Sequence, residues 1–283
     1  MREQFIRTVT ELFEEDPKTV LVLGDIGVHG FASLAEKYPD RVINIGICEQ
    51  ATIGVLAGMA KEGLHPIFYT IAPFATERCL EQIKIDIGYQ NLPVTIVSVG
   101  GSYDYGKLGC THHCPADVAI LKTIPGINIF APAYKEDVDN YLHWYHGVGA
   151  VYMRLPDKKC ILYPPFDFDA ENIIIAFGNT IDNVRNACHG IGVGVLQRAE
   201  VSLVPRFRWM NKVVIVEPWY EGTMHYDVQL AYPNAKILSI GVPRKFITTY
   251  CSKEEHDKEC GLDVDSLRKR ITEFINEIGR AHV

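Results

Sequence analysis

The sequence predicts an α/β protein built from two parallel-sheet domains in tandem. Three observations carry this. Apolar runs such as residues 94–99 and 173–177 have strand length and no alternation, the mark of a parallel strand covered on both faces. Segments with apolar residues at helical spacing separate these runs. A polar stretch with two consecutive prolines, Pro164 and Pro165, interrupts the pattern, and the alternation then starts again.

Taken in order, residues 4–13 form a helix that Asp16-Pro17 stops. Residues 20–23 are a strand ended by Gly24-Asp25, and 31–38 a helix. Residues 41–47 read as a buried strand that leads to one acid, Glu49. A helix over 51–62 follows, where Gly54, Ala57, Gly58 and Ala60 let a flat ligand or another backbone come close. Residues 66–70 are a strand, 76–89 one long helix, and 94–99 a strand. Residues 100–115, rich in Gly, Tyr, His and Cys, make a loop long enough to be functional. Helices at 117–123 and 135–146 alternate with strands at 128–131 and 151–155. These elements give a first domain at 1–158, a linker at 159–170 and a second, smaller domain at 171–283. The second holds strands at 173–177, 193–196, 213–217 and 236–240, with helices at 179–188, 221–230 and 265–278.

Composition sets limits on function. The chain has 283 residues, 47% of them hydrophobic, enough for full cores. A net charge of -7 without a Lys or Arg run argues against nucleic acid as a partner. No apolar run approaches membrane-span length, and the first residues read as an amphipathic helix rather than a secretory signal. Eight cysteines scattered through apolar runs suggest reduced thiols and a cytoplasmic protein.

An acid at the end of an apolar strand is costly unless it is paired or protonated. The plainer account of Glu49 is a surface acid at a helix N-terminus, where negative charge is welcome. Cys110, His112, His113 and Cys114 suggest zinc, but neighbours in sequence rarely converge on one ion. Cys48 could be a nucleophile, though no base stands near it in sequence.

Together these pieces carry a resemblance. The run Gly46-Ile47-Cys48-Glu49-Gln50 resembles the glycine-to-glutamate signature of transketolase-like, thiamine diphosphate-dependent enzymes, in their pyrimidine-binding domain. Residues 74–93, with Arg78, Glu81-Gln82-Ile83 and Asp86-Ile87, are similar to the segment that follows there. Residues 106–113 resemble the family's Gly-x-x-Gly-x-Thr-His loop, and 124–132 a further family segment. The second domain is similar to the transketolase C-terminal domain, including Gly241-Val242-Pro243 and Gly261-Leu262.

The resemblance implies roles for named residues. Glu49 would hydrogen-bond the aminopyrimidine of thiamine diphosphate and promote its imino tautomer, a task suited to a carboxyl of raised pKa. Phe74 and Ile71 would wall the pyrimidine, and Asp25 would stand near the thiazolium. His112 would contact substrate oxygens and move protons. Arg154 would grip a sugar phosphate, with Arg2 and His29 at further substrate positions. The family's Gly-Asp-Gly…Asn signature for magnesium and diphosphate has no counterpart, so no metal ligands are expected in this chain. A second polypeptide, an N-terminal transketolase subunit, would supply that Mg2+ site, giving a heterotetramer with two chains of each kind. The expected reaction moves a two-carbon ketol unit between sugar phosphates. Leu108 replaces an aspartate of ordinary transketolases, and residues 98–101 lack a family histidine, which points to a non-standard sugar. The alternatives are a deoxyxylulose phosphate synthase-like subunit, a 2-oxoacid dehydrogenase β-type subunit, or a catalytically silent regulatory subunit.

Overall fold

The computed structural model describes residues 1–161, 171–201, 204 and 210–277. In the first unit the elements run α1 (Arg2–Glu15), β1 (Thr19–Leu23), α2 (Ala32–Lys37), β2 (Val42–Asn44), α3 (Glu49–Lys61), β3 (His65–Ile71), α4 (Ala72–Ala75), α5 (Leu80–Gln82), β4 (Thr95–Val99), α6 (Asp117–Leu121), β5 (Asn128–Phe130), α7 (Lys135–Tyr145) and β6 (Val151–Leu155). The second continues with β7 (Asn172–Phe177), α8 (Ile181–Cys188), β8 (Gly194–Arg198), β9 (Lys212–Tyr220), α9 (His225–Ala231), β10 (Lys236–Val242), α10 (Lys253–Cys260) and α11 (Val264–Asn276).

Two sheets result, ordered β2-β1-β3-β4-β6-β5 and β10-β9-β7-β8. Every pair of strands within them is parallel. This is the α/β class that the sequence predicts. The expected linker at 159–170 lies mostly outside the described residues.

Side-chain alternation along the strands sorts the core into layers. Leu21, Leu23, Ile67, Tyr69, Val97 and Met153 face α1 and α7, packed against Phe5, Val9, Val138 and Leu142. Val22, Phe68, Ile96 and Tyr152 point the other way, onto Ile53 and Leu56 of α3 and Val118 and Leu121 of α6. The same cluster runs on without a break into Ile173, Ile175, Val213 and Ile215 of the second sheet. That sheet's far face carries Ile174, Val214 and Val216 against α8 and α11. Backbone pairing also joins the units: Ala131 N–H donates to the Ala199 carbonyl at 2.7 Å, and Val201 N–H to Ile129 at 2.9 Å.

Several expectations need correcting. The strand expected at 41–47 is only three residues long and half-buried, because β2 is the sheet edge and has a neighbour on one side only. Of the single helix expected at 76–89, residues 76–79 are turn, and the helical part begins with α5 and widens into a π turn at Ile83–Gly88, closed by Tyr89 N–H on Lys84 O. Gly88 fits there because a Cβ would lie 2.6 Å from Ile124. The helix expected at 221–230 starts only at His225, since Gly222 and Met224 give their N–H groups to Glu217. Helix α10 was not expected, although Ser252 and Glu255 form a capping box at its start.

A buried ion pair fastens the two units together. Arg154 Nε donates to Asp117 Oδ2 at 2.7 Å, with the two side chains 3% and 0% exposed. The same oxygen accepts from Tyr152 Oη at 2.9 Å, and Oδ1 accepts from Val118 N–H. Arg154 Nη2 reaches across to the Pro218 carbonyl at 3.1 Å. Removing one partner of such a pair strands the other charge in a dry site, whereas replacing both by apolar groups does not. Asp117→Asn is therefore expected to cost about 3–5 kcal/mol in urea unfolding. Combining Arg154→Met with Asp117→Leu should restore most of that loss.

Glu217 sits beside this junction, fully buried, and accepts from Trp219 Nε1 at 2.5 Å and from Gly222 N–H at 2.6 Å. Burial pushes its carboxyl from 4.5 up to about 7, against the pull of those hydrogen bonds. The folded chain thus keeps this proton to higher pH than the unfolded chain. The stability it contributes is complete below the unfolded value and is lost as pH rises through about 7. Unfolding followed at about pH 5 and about pH 8 should show a loss of up to about 3 kcal/mol from this group. Glu217→Gln should flatten that part of the profile.

Candidate active site

Because the six strands of the first sheet run the same way, their carboxyl ends share one edge, where ligands of such sheets bind. Asp25 follows β1, Glu49 follows β2, Ile71 ends β3 and Phe74 follows it, and the loop with His112 follows β4. The candidate residues thus converge through topology, although they are far apart in sequence.

Glu49 opens α3, yet it is not a surface cap: the side chain is 1% exposed. Arg78 Nη1 donates to its Oε2 at 2.6 Å. Its other oxygen, Oε1, is buried and has no hydrogen-bond partner. A buried polar atom left in this state is costly and marks a place where a donor belongs. Cys79 lies close by, and burial first and Glu49 second push its thiol up to about 12, leaving it inert. Cys48 is exposed and donates to the Ile45 carbonyl.

From Glu49 a chain of contacts runs outward. The Arg78 guanidinium lies 4.1 Å over the Phe74 ring. The Phe74 ring meets His112 edge-on, 5.4 Å between centroids. His112 Nδ1 is 2.9 Å from Thr111 Oγ1, which leaves Nε2 as its working nitrogen. Tyr105 borders His112 at 6.3 Å and accepts a 2.6 Å hydrogen bond from Arg2. Glu49, Phe74 and His112 therefore form one connected site, joined by Arg78.

The loop bearing His112 is held from both units. Ser102 and Cys114 pair as a short bridge, and Tyr103 Oη donates to Asp257 of α10 at 2.7 Å. Gly106 packs so closely on α10 that a Cβ would stand 2.5 Å from the Cys251 carbonyl. His113 is buried against the His256 ring, 5.3 Å away. This packing turns His112 toward Phe74 while its neighbour faces inward.

The remaining residues fare differently. Asp25 is an exposed turn residue with φ 57°, tied to Asn44 by two hydrogen bonds of 3.1 Å. Ile71 ends β3 half-buried, and His29 lies exposed in the turn after β1. Arg154, expected to hold a phosphate, is turned inward at the junction of the two units. Its guanidinium is buried and already bound to Asp117 and Pro218. The zinc alternative also fails, because Cys110, His112, His113 and Cys114 bring no three ligand atoms together; among the described residues the cluster that does is Asp16, His65 and His146.

Two residues of consequence were missed by sequence reasoning. Arg78 was noted only as part of a family-like segment. It is the sole arginine between Arg41 and Arg154, and a buried acid needs a cation, so the pairing had a signal. Asp117 figured only as the first residue of the helix expected at 117–123, and nothing in the sequence marks it as the partner of Arg154.

Comparison with known proteins agrees with this layout. Residues 1–159 match the family model "Transketolase, pyrimidine binding domain". An uncharacterized 33.6 kDa protein of the fasciation locus of Rhodococcoides fascians is 32% identical over 96% of this chain and 93% of its own length. One subunit of an apulose-4-phosphate transketolase from Actinobacillus succinogenes is 32% identical, over 56% of this chain and 50% of its own. A solved structure described as a split gene transketolase, inactive beta4 tetramer, superposes with a TM-score of 0.80 at 23% identity, covering 96% of each chain. With more than half of its length matched by the family model and a relative alike along nearly all of it, the chain belongs to the transketolase pyrimidine-binding domain family.

Proposed function

We propose that this chain is the C-terminal subunit of a two-component, thiamine diphosphate-dependent transketolase, a cytoplasmic transferase. The observation that carries the reading is Glu49 Oε1, buried and unpartnered at the ligand edge of the sheet. It fits the cofactor's pyrimidine, which presents ring nitrogens to a carboxyl and a flat face to an aromatic. Glu49 would hold the pyrimidine through Oε1, with Arg78 fixing the carboxyl through Oε2. Phe74 and Ile71 would supply the apolar wall, and Asp25 would stand at the rim. Thiamine diphosphate held there would supply the nucleophilic-carbon chemistry that making and breaking a ketose carbon–carbon bond needs.

The chain's own residues then do three things. Glu49 places and holds a proton at a ring nitrogen of the pyrimidine. Arg78, stacked on Phe74, holds that carboxyl in one orientation through Oε2. His112, locked at Nδ1 by Thr111, gives or takes a proton at a substrate oxygen through Nε2. A partner chain would bring the diphosphate and Mg2+ site in a heterotetramer of two chains each. A relative named as one component of a multi-chain transketolase and a solved relative described as an inactive beta4 tetramer support that dependence.

Arg154 is committed elsewhere, so phosphate recognition falls to groups at the mouth, among them His29 and Arg2. Leu108 is 52% exposed in the loop, an apolar group where ordinary transketolases hold a sugar hydroxyl. A non-standard acceptor or donor follows from that exchange.

Co-purification with an N-terminal half-transketolase tests the reading. The pair should transfer ketol units, and Glu49→Gln should lower kcat at least about 100-fold with the complex intact. Activity untouched by Glu49→Gln would instead support a silent regulatory role. Full activity on ordinary pentose phosphates would remove the special-substrate part alone.

A further inference from the structure

We infer that the chain carries a second ligand site, for a divalent transition-metal ion of the zinc class, at the opposite end of the first sheet. Its ligands are Asp16, His65 and His146.

Three chain ends meet there. Asp16 caps α1, His65 begins β3, and His146 caps α7. Thr19, which begins β1, pairs with His65 in the sheet, and His65 N–H donates to the Lys18 carbonyl at 2.9 Å. Glu49 and His112 belong to the carboxyl ends of the strands, whereas this cluster sits at their amino ends. It is therefore a strand length from the candidate active site and shares no residue with it.

The donor atoms already face one another. Asp16 Oδ2 lies 2.6 Å from His65 Nδ1 and 3.1 Å from His146 Nε2. All three ligand atoms lie within 4.8 Å of one another. The two rings meet edge to face, 5.2 Å between centroids, and His65 Nδ1 and His146 Nε2 both approach the same Asp16 oxygen. Zinc bonded at about 2.0–2.1 Å to each ligand needs donors roughly 3.3 Å apart. A shift of under about 1 Å in each side chain opens the cluster to that spacing.

The surroundings are shaped to these rings. Gly147 has φ 69°, and a Cβ on it would stand 2.7 Å from the His65 ring. Thr19 Oγ1 lies 2.8 Å from His146 Nε2, and Lys18 N–H holds the other Asp16 oxygen at 3.0 Å. The side chains of Asp16, His65 and His146 are 24%, 24% and 9% exposed. Water can therefore reach a fourth position, while the ligands remain well anchored. Arg41, the nearby cation, spends its donors on the carbonyls of Phe13, Asp16 and Thr19 rather than on the carboxylate. Glu15 and His143 stand just outside the cluster.

Two imidazoles and one carboxylate with an open position suit zinc, nickel or copper far better than magnesium or calcium. Binding replaces the protons now shared between the rings and Oδ2, which pass to solvent. The ion would then bolt the ends of α1 and α7 to the start of β3.

The test is cobalt and zinc titration of the full chain after treatment with a chelator. One equivalent of cobalt should bind and give the visible bands of a four-coordinate nitrogen–oxygen site, and zinc should displace it. In long-range proton–nitrogen spectra of the unaltered protein, zinc should move two of the ten histidine rings. His65→Gln and Asp16→Asn should each weaken binding at least about tenfold, whereas Glu49→Gln should leave it unchanged. Failure to bind cobalt, zinc shifts at other rings, or equal binding by the His65→Gln protein overturns the assignment. The readout is metal binding, so it stands or falls independently of transferase activity.

Discussion

A guanidinium and a carboxylate with no access to water, Arg154 and Asp117, hold the molecule at the point where its pieces meet. The pair joins the end of β6 to the start of α6, and through the Pro218 carbonyl it reaches the second unit. Gly101 leans on it so tightly that any side chain would strike the guanidinium at 2.5 Å. The loop that presents His112 therefore leaves the sheet over a charged pair that tolerates little change. Burying two charges costs much, and hydrogen bonds from Tyr152 and Val118 to the carboxylate offset part of it. The return is positional: three segments distant in sequence are set in register.

The site at the sheet edge uses the same economy of parts. One carboxyl, Glu49, has two oxygens with different fates, one taken by a cation and one left open. The cation stacks on an aromatic ring, and the ring touches the histidine. Each member thus fixes the next. A fixed orientation is what a cofactor-activating acid requires, since its proton must lie along one direction.

Much of the fold was legible in the sequence because a parallel sheet writes itself as unbroken apolar runs. The strands at 94–99, 151–155 and 173–177 were read to within a residue or two for that reason. The edge strand β2 was over-read, because half-buried and fully buried runs look alike over three or four residues. The helix expected at 76–89 begins only at Leu80 and widens to a π turn whose last residue, Gly88, packs against Ile124, a tertiary fact with no local signature. In the candidate site, Glu49, Phe74 and His112 were singled out through a family-like order of motifs, and the structure brings them into one chain of contacts through Arg78. The pairing of Arg154 with Asp117 was not legible, because sequence spacing does not reveal which acid an arginine meets.

The continuous apolar layer that passes from the first sheet into the second has a consequence for how this architecture can be rearranged. Val22, Ile96, Ile173 and Ile215 belong to one body of packed side chains. The two halves are therefore poor cassettes. A chimaera that swapped only one of them between relatives would bring together surfaces shaped for other neighbours, so inheritance of the pair as a unit is what the packing favours.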